Sequence, residues 1–147
     1  MDVFRNLRNL KILLIDDDIW IRDSLKALFE SEACNLQAFE TAEEGLEEIQ
    51  KKNYDLIIVD YKLPAMDGLE FLKQLPVTEP KPIKILITAY RTDDLIAKAK
   101  KLHIGGFIEK PFDSGTLLAS LAFLINQHNR ELKKNSKFVS DDPSLEE

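Results

Sequence analysis

Apolar positions along this chain follow two alternating patterns. Ile12-Leu13-Leu14-Ile15, Leu56-Ile57-Ile58-Val59 and Ile85-Leu86-Ile87 are continuous apolar runs. They are too short for helices and rich in isoleucine, as expected of strands covered on both faces. Leu36–Phe39 and Phe107–Ile108 are weaker strand candidates. Between the runs, apolar residues step at helical spacing. Ile21, Leu25, Leu28 and Phe29 follow i, i+4, i+7, i+8; Leu69, Leu72 and Leu75 step by three; Leu95, Ala99 and Leu102 step by four and three. Thr41-x-x-Glu44 has the form of a capping box ahead of Leu46 and Ile49, while Asp18 and Asp113 suit the starts of the first and last helices. Pro76, Pro80 and Pro82 close the third helix and make an extended connection into the fourth strand.

Five β–α units in this order predict an α/β fold, a doubly wound five-stranded parallel sheet flanked by five helices. The domain is expected over residues 8–128, followed at 129–147 by a polar C-terminal tail or helix extension. Leu118, Leu121, Ile125, His128 and Leu132 keep a heptad-like spacing on the last helix. Two heptads fit a fraying amphipathic helix, with a helix that pairs protomers as the alternative.

Length and composition narrow the function. A chain of 147 residues with 44% hydrophobic positions is enough for one domain with its own core. The net charge of −6, from 20 Lys+Arg against 26 Asp+Glu, predicts no direct binding to nucleic acid. No apolar run approaches the length of a bilayer span, and Met1-Asp2-Val3-Phe4-Arg5 carries no apolar leader region, so no membrane association and a cytoplasmic location are expected. The single cysteine, Cys34, suits a reducing compartment and a structural role.

Candidate chemistry lies at the strand ends, because an open parallel sheet binds ligands outside its carboxyl edge. Strand one runs into Asp16-Asp17-Asp18, strand three ends in Asp60, strand four in Thr88, and strand five shortly before Lys110-Pro111. Clustered carboxylates repel one another unless something positive compensates, and a hard divalent cation such as Mg²⁺ prefers such oxygen ligands. Lys110 can pair with a carboxylate or with an added phosphoryl oxygen, and Thr88 offers a hydroxyl at the same edge. The set is suited to receiving a phosphoryl group on an aspartate.

On these residues the chain resembles the response-regulator receiver domains of two-component signalling. The resemblance rests on Ile15-Asp16-Asp17-Asp18, Asp60-x-x-Leu63-Pro64-x-Met66-Asp67-Gly68, Thr88-Ala89 and Lys110-Pro111-Phe112, and covers about residues 9 to 128. It implies a flavodoxin-like strand order 2-1-3-4-5. It implies Asp60 as phosphoacceptor, and Mg²⁺ (Mn²⁺ as a substitute) held by Asp17 directly, Asp16 through water, Asp60 and the backbone carbonyl of Lys62. Thr88 and Lys110 then contact the phosphoryl group, while Thr88 and Phe107 act as switch residues changing the surface of helix four, strand five and helix five. The implied partners are a sensor histidine kinase or a histidine phosphotransfer protein, and a second copy of the chain through that surface. Such a protein is a switch that catalyses only its own phosphorylation and dephosphorylation.

Other positions carry narrower expectations. Phe107 stands where the family commonly has tyrosine, and so lacks a phenolic hydrogen bond; His103 stands where glycine is usual. Lys62 and Tyr90 flank the acceptor, where the family tunes the attacking water. Asp67-Gly68 shapes the loop into the third helix, Trp20 packs at the start of the first, and His128 serves packing or surface. Two competing functions remain open at this point. One is a haloacid-dehalogenase-like phosphatase using Asp16-x-Asp18, Thr88 and Lys110, although Ile19-Trp20 departs from its pattern. The other is an interaction module that keeps the fold without phosphorylation.

Overall fold

A computed structural model describes residues 3–140, with side chains as far as residue 134. Its elements alternate as β1 (Lys11–Ile15), α1 (Ile19–Ser31), β2 (Asn35–Phe39), α2 (Ala42–Lys51), β3 (Leu56–Asp60), α3 (Gly68–Lys73), β4 (Ile83–Thr88), α4 (Asp93–Lys101), β5 (Gly106–Glu109) and α5 (Ser114–Ser140). The five strands form one parallel sheet in the order β2-β1-β3-β4-β5, as expected. The strand order reverses between β1 and β3, which opens a crevice at their carboxyl ends.

Successive side chains of a strand point to opposite faces, and the central strands are apolar on both. Ile12, Leu14, Ile58 and Ile85 therefore pack with Leu25 and Phe29 of α1 and Leu117, Leu121 and Ile125 of α5. Leu13, Ile15, Ile57, Val59 and Leu86 pack on the other face with Ala42 of α2, Leu69, Phe71 and Leu72 of α3, and Leu95 of α4. Each fully buried Leu, Ile or Phe contributes about 1.5–3 kcal/mol relative to exposure. These two apolar layers hold the carboxyl edge in place.

The helix starts follow the sequence signals. Thr41 and Glu44 form a reciprocal capping box, Asp18 accepts from the Trp20 amide, and Asp113 accepts from the Thr116 amide at 2.7 Å. α3 ends at Lys73, so Leu75 lies beyond the helix rather than on its third turn. His103 follows α4 with φ 56°, a left-handed turn that histidine tolerates.

Three expectations are changed. Trp20 is not packed: it is 79% exposed, because α1 turns Ile21, Leu25, Leu28 and Phe29 toward the sheet and leaves Trp20 outside that stripe. The buried stripe of α5 includes Leu117, with Leu118 only half-buried and Leu132 exposed. Phe4 and Leu7, ahead of the expected start at residue 8, are buried in the α1/α5 layer, and Phe4 meets Phe29 edge-on with ring centroids 5.9 Å apart. α5 continues from the domain through residues 129–140; the rest of the segment expected at 129–147, residues 141–147, lies outside the described residues. No helix among the described residues is long and apolar enough to cross a membrane.

Candidate functional site

Each candidate side chain sits at or just after the end of a strand. Asp16 follows β1 directly, Asp60 is the last residue of β3, Thr88 the last of β4, and Lys110 follows β5. The parallel register brings them together: Ile15 lies opposite Val59, Asp60 opposite Ile87, and Thr88 opposite Glu109. Asp16, Asp60 and Thr88 are buried, whereas Asp17 is exposed at the rim.

The carboxylates share a single ammonium. Lys110 Nζ donates to Asp60 Oδ2 at 2.9 Å and lies 3.2 Å from Asp16 Oδ2. Burial opposes the charge of Lys110, but the hydrogen bond to Asp60 and the two carboxylates outweigh it and hold its pKa above the ordinary lysine value. Asp16 Oδ1 accepts from the Asp18 amide at 2.9 Å, while its buried Oδ2 has the ion-pair contact but no hydrogen bond. Burial, aided by the negative charge of Asp60, pushes the Asp16 pKa up to about 6 against the lowering by the Asp18 amide and Lys110.

Asp16, Asp17 and Asp60 each present a carboxylate oxygen within 4.8 Å of the others. An all-oxygen set with excess negative charge and an unsatisfied buried oxygen suits a hard divalent cation. The chemistry of these donors fits a metal of that kind.

The surrounding loops position the set. Gly68 is required by close approach: a Cβ there would lie 2.4 Å from the Asp60 carbonyl oxygen, and its amide donates to Tyr61 O at 2.8 Å. Asp67 caps α3 by accepting from the Glu70 amide, which gives Asp67-Gly68 the loop-shaping part expected of it. Lys62 lines the cleft and its amide reaches Asp60 Oδ1 at 3.4 Å. Thr88 Oγ1 is turned onto its own loop, donating to Tyr90 O at 3.0 Å and accepting from the Tyr90 amide at 3.2 Å. Tyr90 is exposed at the cleft rim. Phe107 does not line this cleft; half-buried, it borders a neighbouring groove with Arg91, Ile96 and Phe123.

Some contributors were not anticipated. Arg22 Nη1 donates to Asp16 O at 2.8 Å and ties α1 to the end of β1; an arginine on the first turns after an acid cluster was the available signal. Ala65 takes φ 63° in the loop after Asp60, which alanine adopts only under strain, and nothing in its identity points there. Thr92, Asp94 and Leu95 also line the cleft.

A doubly wound parallel sheet with buried acids, a lysine and a hydroxyl at its carboxyl edge defines a class of signalling domain. The chain belongs to the response-regulator receiver domain family, whose model matches residues 12–122. It is therefore a receiver domain of two-component signalling, and the phosphatase alternative falls away. It is 37% identical over 109 residues to sporulation initiation phosphotransferase F of Bacillus subtilis (strain 168), covering 73% of this chain and 86% of that protein. Other curated relatives are longer: the chain spans 57% of one transcriptional regulator and 26% of another. Among solved structures, a CheY-like response regulator receiver domain protein from Methanospirillum hungatei JF-1 superposes with a TM-score of 0.73 at 30% identity, covering 82% of this chain and 97% of that one. The beryllofluoride-activated NtrC4 receiver domain dimer superposes with a TM-score of 0.69 at 27% identity, covering 80% and 97%.

Proposed function

We propose that this receiver domain takes a phosphoryl group from a phosphohistidine donor onto Asp60, with Mg²⁺ held by Asp16, Asp17, Asp60 and the backbone carbonyl of Lys62. The observation that carries this reading is the buried Asp60 carboxylate, bridged to Lys110 beside an Asp16 oxygen that has no hydrogen bond.

An Asp60 oxygen attacks phosphorus, the P–N bond breaks, and its electron pair leaves with the imidazole nitrogen. The product is an acyl phosphate on Asp60. Lys110 transfers its hydrogen bond from the carboxylate to a phosphoryl oxygen, offsetting charge on the transferring group. A bound Mg²⁺ supplies further charge neutralisation and alignment. The Thr88 hydroxyl has one proton, so donating it to the phosphoryl group means giving up Tyr90 O. Phe107 then changes its packing, and the surface of α4, β5 and α5 changes with it.

The donor is a sensor histidine kinase or a histidine phosphotransfer protein in the cytoplasm. The dimer formed by the NtrC4 receiver domain supports a second copy of this chain as a further partner, and the surface assigned to that contact is the one made by α4, β5 and α5. The test is labelling by acetyl phosphate. Labelling is expected to require Mg²⁺ and to be lost in Asp60→Asn; an unchanged rate in that variant overturns the assignment of Asp60. A chain that binds its partner but takes no label even with Mg²⁺ would instead be a phosphorylation-independent interaction module.

A further inference from the structure

Arg91 links the loop that Thr88 holds to the aromatic residue of β5. Thr88 Oγ1 is hydrogen-bonded to both the amide and the carbonyl of Tyr90. The next residue, Arg91, places its guanidinium carbon 5.7 Å from the centroid of the Phe107 ring. Its Nε lies 3.8 Å from Glu109 Oε1. Phe107 and Glu109 are two apart on β5, so their side chains share one face of the strand. Arg91 therefore meets two successive side chains of that face, one through the negative face of the ring and one through its carboxylate.

A phenylalanine has no polar atom with which to fix its orientation. What distinguishes one packing of the ring from another is apolar contact and the field of a neighbouring cation. Here that cation comes from the loop anchored by Thr88. Just beyond Arg91, Thr92 caps α4 by accepting from the Leu95 amide at 3.1 Å. The loop is thus pinned at Thr88 and at Thr92, with residues 89–91 between the two pins.

We propose that Arg91 is a positioning residue that holds Phe107 in the conformation seen here and releases it when Thr88 turns toward the acceptor. The proposal rests on reading Asp60 as the phosphoacceptor, and it deepens that reading by naming what opposes the switch. A contact made only in the unmodified conformation lowers the population of the competent one, and so weakens the apparent affinity for anything that binds the competent one better. Removing the cation should therefore make the site easier to fill, although Arg91 lies outside the lining of the cleft that holds Asp60 and Lys110.

The experiment titrates beryllofluoride, in the presence of Mg²⁺, into the wild type, Arg91→Ala, Phe107→Leu and the double variant. Arg91→Ala is expected to bind about two- to fivefold more tightly, the range an exposed cation–π contact supports. That gain should vanish in the Phe107→Leu background. Equal affinity of Arg91→Ala and wild type, or the same gain in both backgrounds, overturns the proposal. A second arm uses side-chain NMR of labelled phenylalanine in the ligand-free protein. The Phe107 ring resonances are expected to shift in Arg91→Ala, and unshifted resonances also overturn it. A wild type that binds no beryllofluoride counts against the phosphoacceptor reading, and in that case the NMR arm still decides whether Arg91 positions Phe107.

Discussion

At the amino end of the sheet Asp55 accepts the Lys11 amide at 2.8 Å and Glu48 accepts the Tyr54 hydroxyl, whereas at the carboxyl end buried Asp16 keeps an oxygen without a hydrogen bond. Both ends carry acids next to strand termini, and both rest on the same two apolar layers. The amino end pairs its polar groups with partners from its own chain: Arg8 reaches the Glu32 carbonyl at 2.9 Å and its carboxylate at 3.3 Å, and the Ile83 amide reaches Asp55 O at 2.9 Å. The carboxyl end sets three carboxylates against one lysine. Stability and chemistry have been placed at opposite poles, and unsatisfied charge distinguishes the second.

That division can be broken at its base, at the site or at a single bond. Phe29→Ala removes a ring buried completely beneath the amino end and packed against Phe4. It is expected to cost about 3–5 kcal/mol in denaturant unfolding while leaving Mg²⁺ affinity of the folded protein unchanged; an affinity that falls in step with stability would mean the poles are coupled.

The pH dependence of stability tests the carboxyl end. The Asp16 pKa is raised in the folded protein to about 6 from an ordinary 3.8, so the native state holds this proton more tightly than the unfolded chain. Its contribution in the metal-free protein therefore falls as pH rises from about 4 to about 6, by at most about 3 kcal/mol. Asp16→Asn should flatten that window. Saturating Mg²⁺ should raise the melting temperature of the wild type above pH 6, by the equivalent of about 2.7 kcal/mol at a hundredfold excess over Kd. A melting temperature indifferent to Mg²⁺ counts against a cation at this edge. The smallest effect belongs to Tyr54→Phe, which deletes the hydrogen bond to Glu48. About 1 kcal/mol of stability should be lost, read by chemical denaturation, with acetyl phosphate labelling unaffected.

What could be read from the sequence depended on burial. β1, β3 and β4 are covered on both faces, so their apolar runs are continuous and legible. β2 and β5 lie at the sheet edges, only partly buried, and their signals were correspondingly weak. Asp16, Asp60, Thr88 and Lys110 were legible as a group because parallel strands of known order bring their ends to one edge. Phe4 and Leu7 were not, since a turn has no periodicity to betray which of its residues face inward. Nor was Arg91, whose effect depends on where a loop folds back over β5. Trp20 misled for the opposite reason: its size suggested packing, but its place on the helix turned it outward.

α5 has a mechanical consequence. Its 27 residues make a rod of about 40 Å, while the adjoining strand β5 has only four residues. The part of the helix beyond its buried stripe therefore has the geometry of a lever arm whose fulcrum is the sheet. A tilt of about 5° where α5 meets β5 would carry the far end, about 22 Å beyond Ile125, through about 2 Å. Under the proposed switch, repacking around Phe107 would in this way be felt at a distance from the carboxyl edge of the sheet.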